Sequence, residues 1–141
     1  MVMNSREGQS MKTLIVEDDF TSRLFLQTYL SRYGECHVAV NGREAVEAFQ
    51  MANVNGSPYD LICMDIMMPE MDGTEAVKQV RALEEAHGIL PHDGVKIIMT
   101  TAVTDVKEVL HSFHELCDAY LVKPIKKASL LDEMRKMGMT A

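Results

Sequence analysis

The sequence predicts an α/β domain with a doubly wound, five-stranded parallel sheet. Three observations lead there. Five short apolar runs alternate with five segments of helical period, and that alternation builds a parallel sheet with helices on both faces. The central run, Leu61 to Met64, is apolar without interruption and reads as a buried strand. Four of the runs stop abruptly at polar side chains, which places chemistry at one edge of the sheet.

Thr13 to Val16 is a β-branched run and forms the first strand, ending in Glu17-Asp18-Asp19. Phe20 to Tyr33 carries Leu26, Tyr29, Leu30 and Tyr33 at helical spacing, and Gly34 stands where a helix would stop. Glu35 to Val40 is a second, less apolar strand, so it belongs nearer an edge. Asn41 can cap a helix from Gly42 to Ala52, with Ala45, Val46 and Phe49 on one face. Asn53 to Pro58 is a turn-forming loop.

The third strand stops at Asp65 and runs into a Pro–Gly loop. Asp72 is placed to cap a helix from Gly73 to Ala86 that buries Ala76, Val77, Val80 and Leu83. Asp72 and Glu75 have the spacing of a capping box. His87 to Gly94 is a loop, and Val95 to Met99 is the fourth strand, ending in Thr100-Thr101-Ala102. Thr104 can cap a fourth helix with Val106, Val109, Leu110 and Phe113 inward. Ala119 to Val122 is the fifth strand, ending in Lys123-Pro124. Lys126 to Met137 is the last helix, with Leu130, Leu131, Met134 and Met137 inward.

Composition bounds the function. A chain of 141 residues suits one domain, and 47% hydrophobic with 25% charged residues is ordinary for a soluble globular protein. A net charge of −7 disfavours nucleic acid as a direct partner. No apolar run is long enough to span a membrane. Residues 1–10 lack an apolar signal core and read as a disordered extension, with the domain proper over 11–141. Cys36, Cys63 and Cys117 are scattered in apolar contexts, which points to small core residues in a reducing, cytoplasmic setting.

In a parallel sheet the strand ends share one edge, and ligands sit there, where strand order reverses. Glu17, Asp18, Asp65, Thr101 and Lys123 therefore converge: three acids, a hydroxyl and an amine. Three carboxylates in one crevice repel, and without a cation at least one pKa is pushed up. Mg²⁺ relieves this, because it suits one or two carboxylates plus phosphate oxygens and waters. Asp65 then reads as a nucleophile that forms an aspartyl phosphate, with Lys123 and Thr101 on the transferred oxygens.

With those residues in view, the chain resembles a response-regulator receiver domain (CheY-like) of two-component signal transduction. The resemblance covers Lys12 to Met137. It rests on Glu17-Asp18, Asp65 with Met68-Pro69 and Asp72-Gly73, Thr101-Ala102, Tyr120 and Lys123-Pro124. It implies the flavodoxin-like fold with strand order 2-1-3-4-5. It implies that Asp65 receives its phosphoryl group from a sensor histidine kinase or a histidine phosphotransfer protein. Mg²⁺ would be bound by Asp18, Asp65 and the backbone carbonyl of Met67, with Glu17 acting through water. Thr101 and Tyr120 would be the switch pair, and Lys123-Pro124 would be cis. The face of the fourth helix, fifth strand and last helix would then present itself to an unknown protein target, and a phosphorylation-dependent dimer stays open. The domain would act on nothing but its own phosphorylation and dephosphorylation, so it is not an enzyme in the usual sense.

The acid pair is Glu17-Asp18, with Arg23 falling where an early-helix arginine often lies in the family; Asp19 reads as a helix-capping acid. Met67 and Val103 are apolar where the family tunes attack by water, which implies slow self-dephosphorylation. Three alternatives stand beside this reading. One is a receiver excised from a larger regulator or hybrid kinase. Another is an aspartyl-phosphate phosphohydrolase, which wants a second aspartate where Met67 stands. The third is a flavodoxin, whose phosphate loop is missing after the first strand. His111 and His114 lack a third ligand, and His37, His87 and His92 carry no role. Met67, Met68 and Met71 could form part of a partner surface, and Gly42 and Gly73 stand at helix starts, binding nothing by themselves.

Overall fold

The structure, a computed structural model, describes residues 11–68, 71–90, 93–102 and 116–140. The described elements are β1 (Thr13–Val16), α1 (Phe20–Leu30), β2 (Cys36–Ala39), α2 (Gly42–Val54), β3 (Leu61–Asp65), α3 (Gly73–Ala86), β4 (Lys96–Thr101), β5 (Ala119–Val122) and α4 (Lys127–Lys136). The expected helix from Thr104 lies outside the described residues, as do residues 1–10, Pro69, Glu70, His92, Val103, His111 and His114.

All four strand pairings are parallel, in the order β2-β1-β3-β4-β5. This is the doubly wound arrangement expected. The chain leaves β1 toward β2 on one side and returns to β3 on the other. The strand order reverses between β1 and β3, which opens a crevice at their C-terminal ends. β3 sits at the centre and is buried along its whole length.

Side-chain alternation divides the interior in two. Leu14, Val16, Ile62, Met64, Ile97 and Met99 point to one face, where Ala45, Val46 and Phe49 of α2 and Ala76, Val77 and Val80 of α3 cover them. Ile15, Leu61, Cys63, Ile98 and Leu121 point to the other, under Leu26 and Leu30 of α1 and Leu130 and Met134 of α4. Each fully buried Leu or Ile among these contributes roughly 1.5–3 kcal/mol.

Three of the helix caps follow the sequence. Asp19 accepts from the Ser22 amide at 2.9 Å, Asn41 from Glu44 at 2.8 Å and Asp72 from Glu75 at 3.0 Å. Glu75 spends its own carboxylate on Gln79 at 3.2 Å. The Thr74 hydroxyl and the Glu75 amide hold the Asp72 carboxyl below its usual range. A depressed carboxyl stabilises the fold above its ordinary pKa and loses that contribution as pH falls through the folded value. Asp72→Ala is therefore expected to cost about 1 kcal/mol at neutral pH. In acid the difference from wild type should shrink, as read by urea melts across pH.

Several boundaries move. α1 ends at Leu30 rather than Tyr33, because Ser31 closes it and Tyr33 turns back to the Leu30 carbonyl at 3.0 Å. α2 runs to Val54, past Ala52, before the Asn55-Gly56 turn. β4 starts at Lys96 and extends through Thr100 and Thr101, since both pair with β5. α4 is one residue shorter at each end than expected, Lys127 to Lys136. Only Cys63 of the three cysteines is fully buried, and burial pushes its thiol up to about 12. Cys36 and Cys117 are half-buried rather than core.

Charged residues also serve structure where sequence showed no role. Glu84 is buried and accepts from the Val95 amide at 2.7 Å and from Arg81 at 2.7 Å. Asp118 accepts from Arg81 at 3.2 Å and from the Ile97 amide at 2.8 Å. His37 joins the Tyr59 hydroxyl at 2.7 Å and Glu35 at 2.8 Å.

Candidate functional site

The strand ends deliver the expected side chains to one place. Glu17 follows β1, Asp65 closes β3, Thr101 closes β4 and Lys123 follows β5. The sheet ladder continues one step past each strand and fixes these backbones. The Glu17 amide bonds to Ala39 O at 3.0 Å, Ile66 to Thr100 O at 3.0 Å and Lys123 to Thr101 O at 2.7 Å. The Lys123-Pro124 peptide is cis.

Carboxylate oxygens of Glu17, Asp18 and Asp65 lie within 4.8 Å of one another. Glu17 is fully buried and Asp65 is 4% exposed, whereas Asp18 faces solvent. Lys123 Nζ reaches across, 3.0 Å from Glu17 Oε2 and 3.2 Å from Asp65 Oδ2. It also lies 2.9 Å from Glu17 Oε1. The ammonium therefore straddles both oxygens of that carboxylate. The Glu17 main-chain carbonyl accepts from Arg23 at 3.1 Å, and its Oε2 from the Asp19 amide at 3.1 Å.

Two buried carboxylates share one ammonium, and the electrostatics follow. Burial pushes the Glu17 carboxyl up to about 7, against the pull of the Lys123 hydrogen bond. Mutual repulsion was the cause expected from sequence, but Asp65 adds the lesser part and burial the larger. Burial also works to lower Lys123, yet its bond to Glu17 and the charge of Asp65 outweigh this and hold the ammonium above its ordinary range.

These residues fit a hard divalent cation. Three acids offer oxygens at close quarters, and one ammonium, that of Lys123, meets two of them. Met67 follows Asp65 by two residues, and its amide donates to Asp65 Oδ1 at 3.3 Å. Its side chain is 65% exposed, while Met68 and Met71 are half-buried against the core. Thr101 is buried, 1% exposed, and Tyr120 is 39% exposed on β5.

Gly42 and Gly73 are the residues whose role sequence reading missed. A Cβ on Gly73 would run into the main-chain carbonyl of Asp65, and one on Gly42 into that of Met71. Their amides bond to Ile66 O and Met71 O, both at 2.9 Å. The two helix starts therefore clasp the loop that follows Asp65. The signal available was a glycine at the first position of each of two capped helices. Gly73→Ala must displace the Asp65 backbone. It is expected to cost about 1–3 kcal/mol in a denaturant melt.

Comparison with known proteins agrees with this geometry. The family model described as "Response regulator receiver domain" matches residues 13–135. Hybrid signal transduction histidine kinase B of Dictyostelium discoideum is 37% identical over 131 residues, 89% of this chain and 6% of that protein. The chain spans no more than 56% of the first curated relatives it matches. The receiver domain of the Arabidopsis thaliana histidine kinase CKI1, complexed with Mg²⁺ and BeF₃⁻, superposes with a TM-score of 0.77 at 27% identity, covering 93% of this chain and 91% of that one. A chain of the Saccharomyces cerevisiae complex between the phosphotransfer protein Ypd1 and the receiver domain of the response regulator Ssk1 superposes at 0.75 with 28% identity, covering 92% and 89%. The chain belongs to the response regulator receiver domain family of two-component signalling.

Proposed function

We propose that this domain is a phospho-acceptor switch. Asp65 takes a phosphoryl group from a phosphohistidine on a sensor histidine kinase or histidine phosphotransfer protein. The observation that carries this is a carboxylate 4% exposed at the end of the central strand, held by Lys123 and crowded by two further acids. An Asp65 oxygen forms a bond to phosphorus as the phosphorus–nitrogen bond of the donor breaks, and the imidazole leaves with the electron pair. Lys123 supplies positive charge beside the attacked group, and the Thr101 hydroxyl donates to a transferred oxygen. Asp18, Asp65 and the Met67 carbonyl would hold Mg²⁺, with Glu17 acting through water. The bound ion supplies neutralisation of charge on the phosphoryl oxygens. The complexes of relatives with Mg²⁺ and with a phosphotransfer protein support both assignments.

Thr101 and Tyr120 then couple the site to the β5 surface, where a protein target reads it. The domain catalyses only its own phosphorylation and hydrolysis, and works in the cytoplasm. Intact mass after incubation with acetyl phosphate tests the reading. One phosphoryl group should appear with Mg²⁺ and none after chelation. A folded protein that gains no mass under either condition would remove it.

A further inference from the structure

We propose that the Thr100 hydroxyl is a positioning donor for the Asp65 carboxylate. Thr100 is 1% exposed, and its Oγ1 has no hydrogen-bond partner among the described residues. The sheet shows where it lies. Asp65 and Thr100 are directly paired across β3 and β4. Cys63 and Ile98, two residues before each, both face the core under α1 and α4. Period-two alternation puts Asp65 and Thr100 on that same face, on strands about 4.8 Å apart. Thr101 points to the opposite face, with Met99 and Ile97, so the two threonines approach from different sides.

The same register makes a buried row across the sheet. Val16 pairs with Met64, so Glu17 falls beside Asp65. Thr100 lies on the other side of Asp65, and Leu121 lies beyond it. Leu121 offers no acceptor. Thr100 Oγ1 is the atom of this row without a partner among the described residues, whereas Glu17 Oε1 lies 2.9 Å from Lys123 Nζ.

A buried hydroxyl without a partner is destabilising, and an apolar residue of the same shape would avoid that. The paired neighbours of Thr100 on that face are Asp65 and Leu121. In this rotamer Oγ1 makes no bond to Asp65, and rotation about one side-chain bond is what would turn it toward the carboxylate paired beside it. Asp65 has room for another donor. Its two bonds, from Met67 at 3.3 Å and Lys123 at 3.2 Å, are long for a charged acceptor with about four lone-pair sites. A third donor fixes the carboxylate plane for in-line attack. Thr100 touches no transferred atom and acts through Asp65. The inference rests on Asp65 being the phosphoryl acceptor.

The test compares wild type, Thr100→Val and Thr100→Ser, each with acetyl phosphate and Mg²⁺. The rate constant of uptake comes from an intact-mass time course, and melts in Mg²⁺-free buffer give stability. Thr100→Val is expected to melt at or above the wild-type temperature while taking up phosphoryl about tenfold more slowly. Thr100→Ser keeps the hydroxyl and should react near the wild-type rate although it packs less well. A valine variant that reacts at the wild-type rate overturns the inference and leaves Asp65 as acceptor. So does equal slowing in both variants, which would mark packing rather than the hydroxyl. No uptake by wild type overturns the Asp65 reading, and this inference with it.

Discussion

Asp65→Asn is expected to take up no phosphoryl group and yet to melt at or above the wild-type temperature in Mg²⁺-free buffer. The first half follows from chemistry, because an amide oxygen at this position does not form the acyl phosphate. The second follows from charge. In wild type, Glu17 and Asp65 are both buried and share the single ammonium of Lys123. The asparagine leaves one carboxylate against one ammonium. Its amide oxygen can keep the bond from the Met67 amide, so the loop after β3 loses little. The lost contact is the 3.2 Å approach of Lys123, and Glu17 still holds that side chain. Buried ion pairs often contribute little net stability, since desolvation offsets attraction. Intact mass and a thermal melt on the same sample check both halves. An adduct that persists would move the acceptor elsewhere. A clear loss of stability would show that the Lys123–Asp65 contact outweighs the crowding.

Much of this fold was legible because apolar period and caps agree along the chain. Asn41 and Asp72 each begin a helix at the residue expected, since side-chain oxygens and orphan amides meet locally. Boundaries failed where tertiary pairing decided them. Thr100 and Thr101 look like a polar exit from β4, but pairing with Leu121 and Val122 keeps them in the sheet. The acid–lysine cluster was legible from parallel topology alone, which brings strand ends together whatever their distance in sequence. The clasp of Gly42 and Gly73 was not. Nothing in the sequence states that a helix start passes against the Asp65 carbonyl. Nor does it state that Glu84 holds the Val95 amide just before β4 and Asp118 the Ile97 amide within it, because those contacts need the packed loops.

Lys123→Met sets the opposite charge change against the same site. The methionine keeps the length of the lysine stem, so packing beside Pro124 changes little. What is lost is the one cation that, among the described residues, faces both Glu17 and Asp65, which are 0% and 4% exposed. Breaking a buried pair leaves an uncompensated charge and costs about 3–5 kcal/mol. The variant can offset part of this by binding a proton, and Glu17 is the group poised to do so, with its carboxyl already up to about 7. A carboxyl whose folded pKa lies above its ordinary value weakens the fold as pH rises between the two values, and levels off above the folded one. Removing Lys123 raises that folded value further, since its hydrogen bond was the largest lowering influence. The variant should therefore lie nearer wild type at about pH 5 than at about pH 8 in Mg²⁺-free denaturant melts. Phosphoryl uptake from acetyl phosphate should fall on the order of 10²-fold, the usual loss when one charge-stabilising donor is removed. A pH-independent stability gap would mean that neither acid protonates and that water reaches the pair. Uptake at the wild-type rate would mean that Lys123 holds the resting acids apart from any part in the transfer.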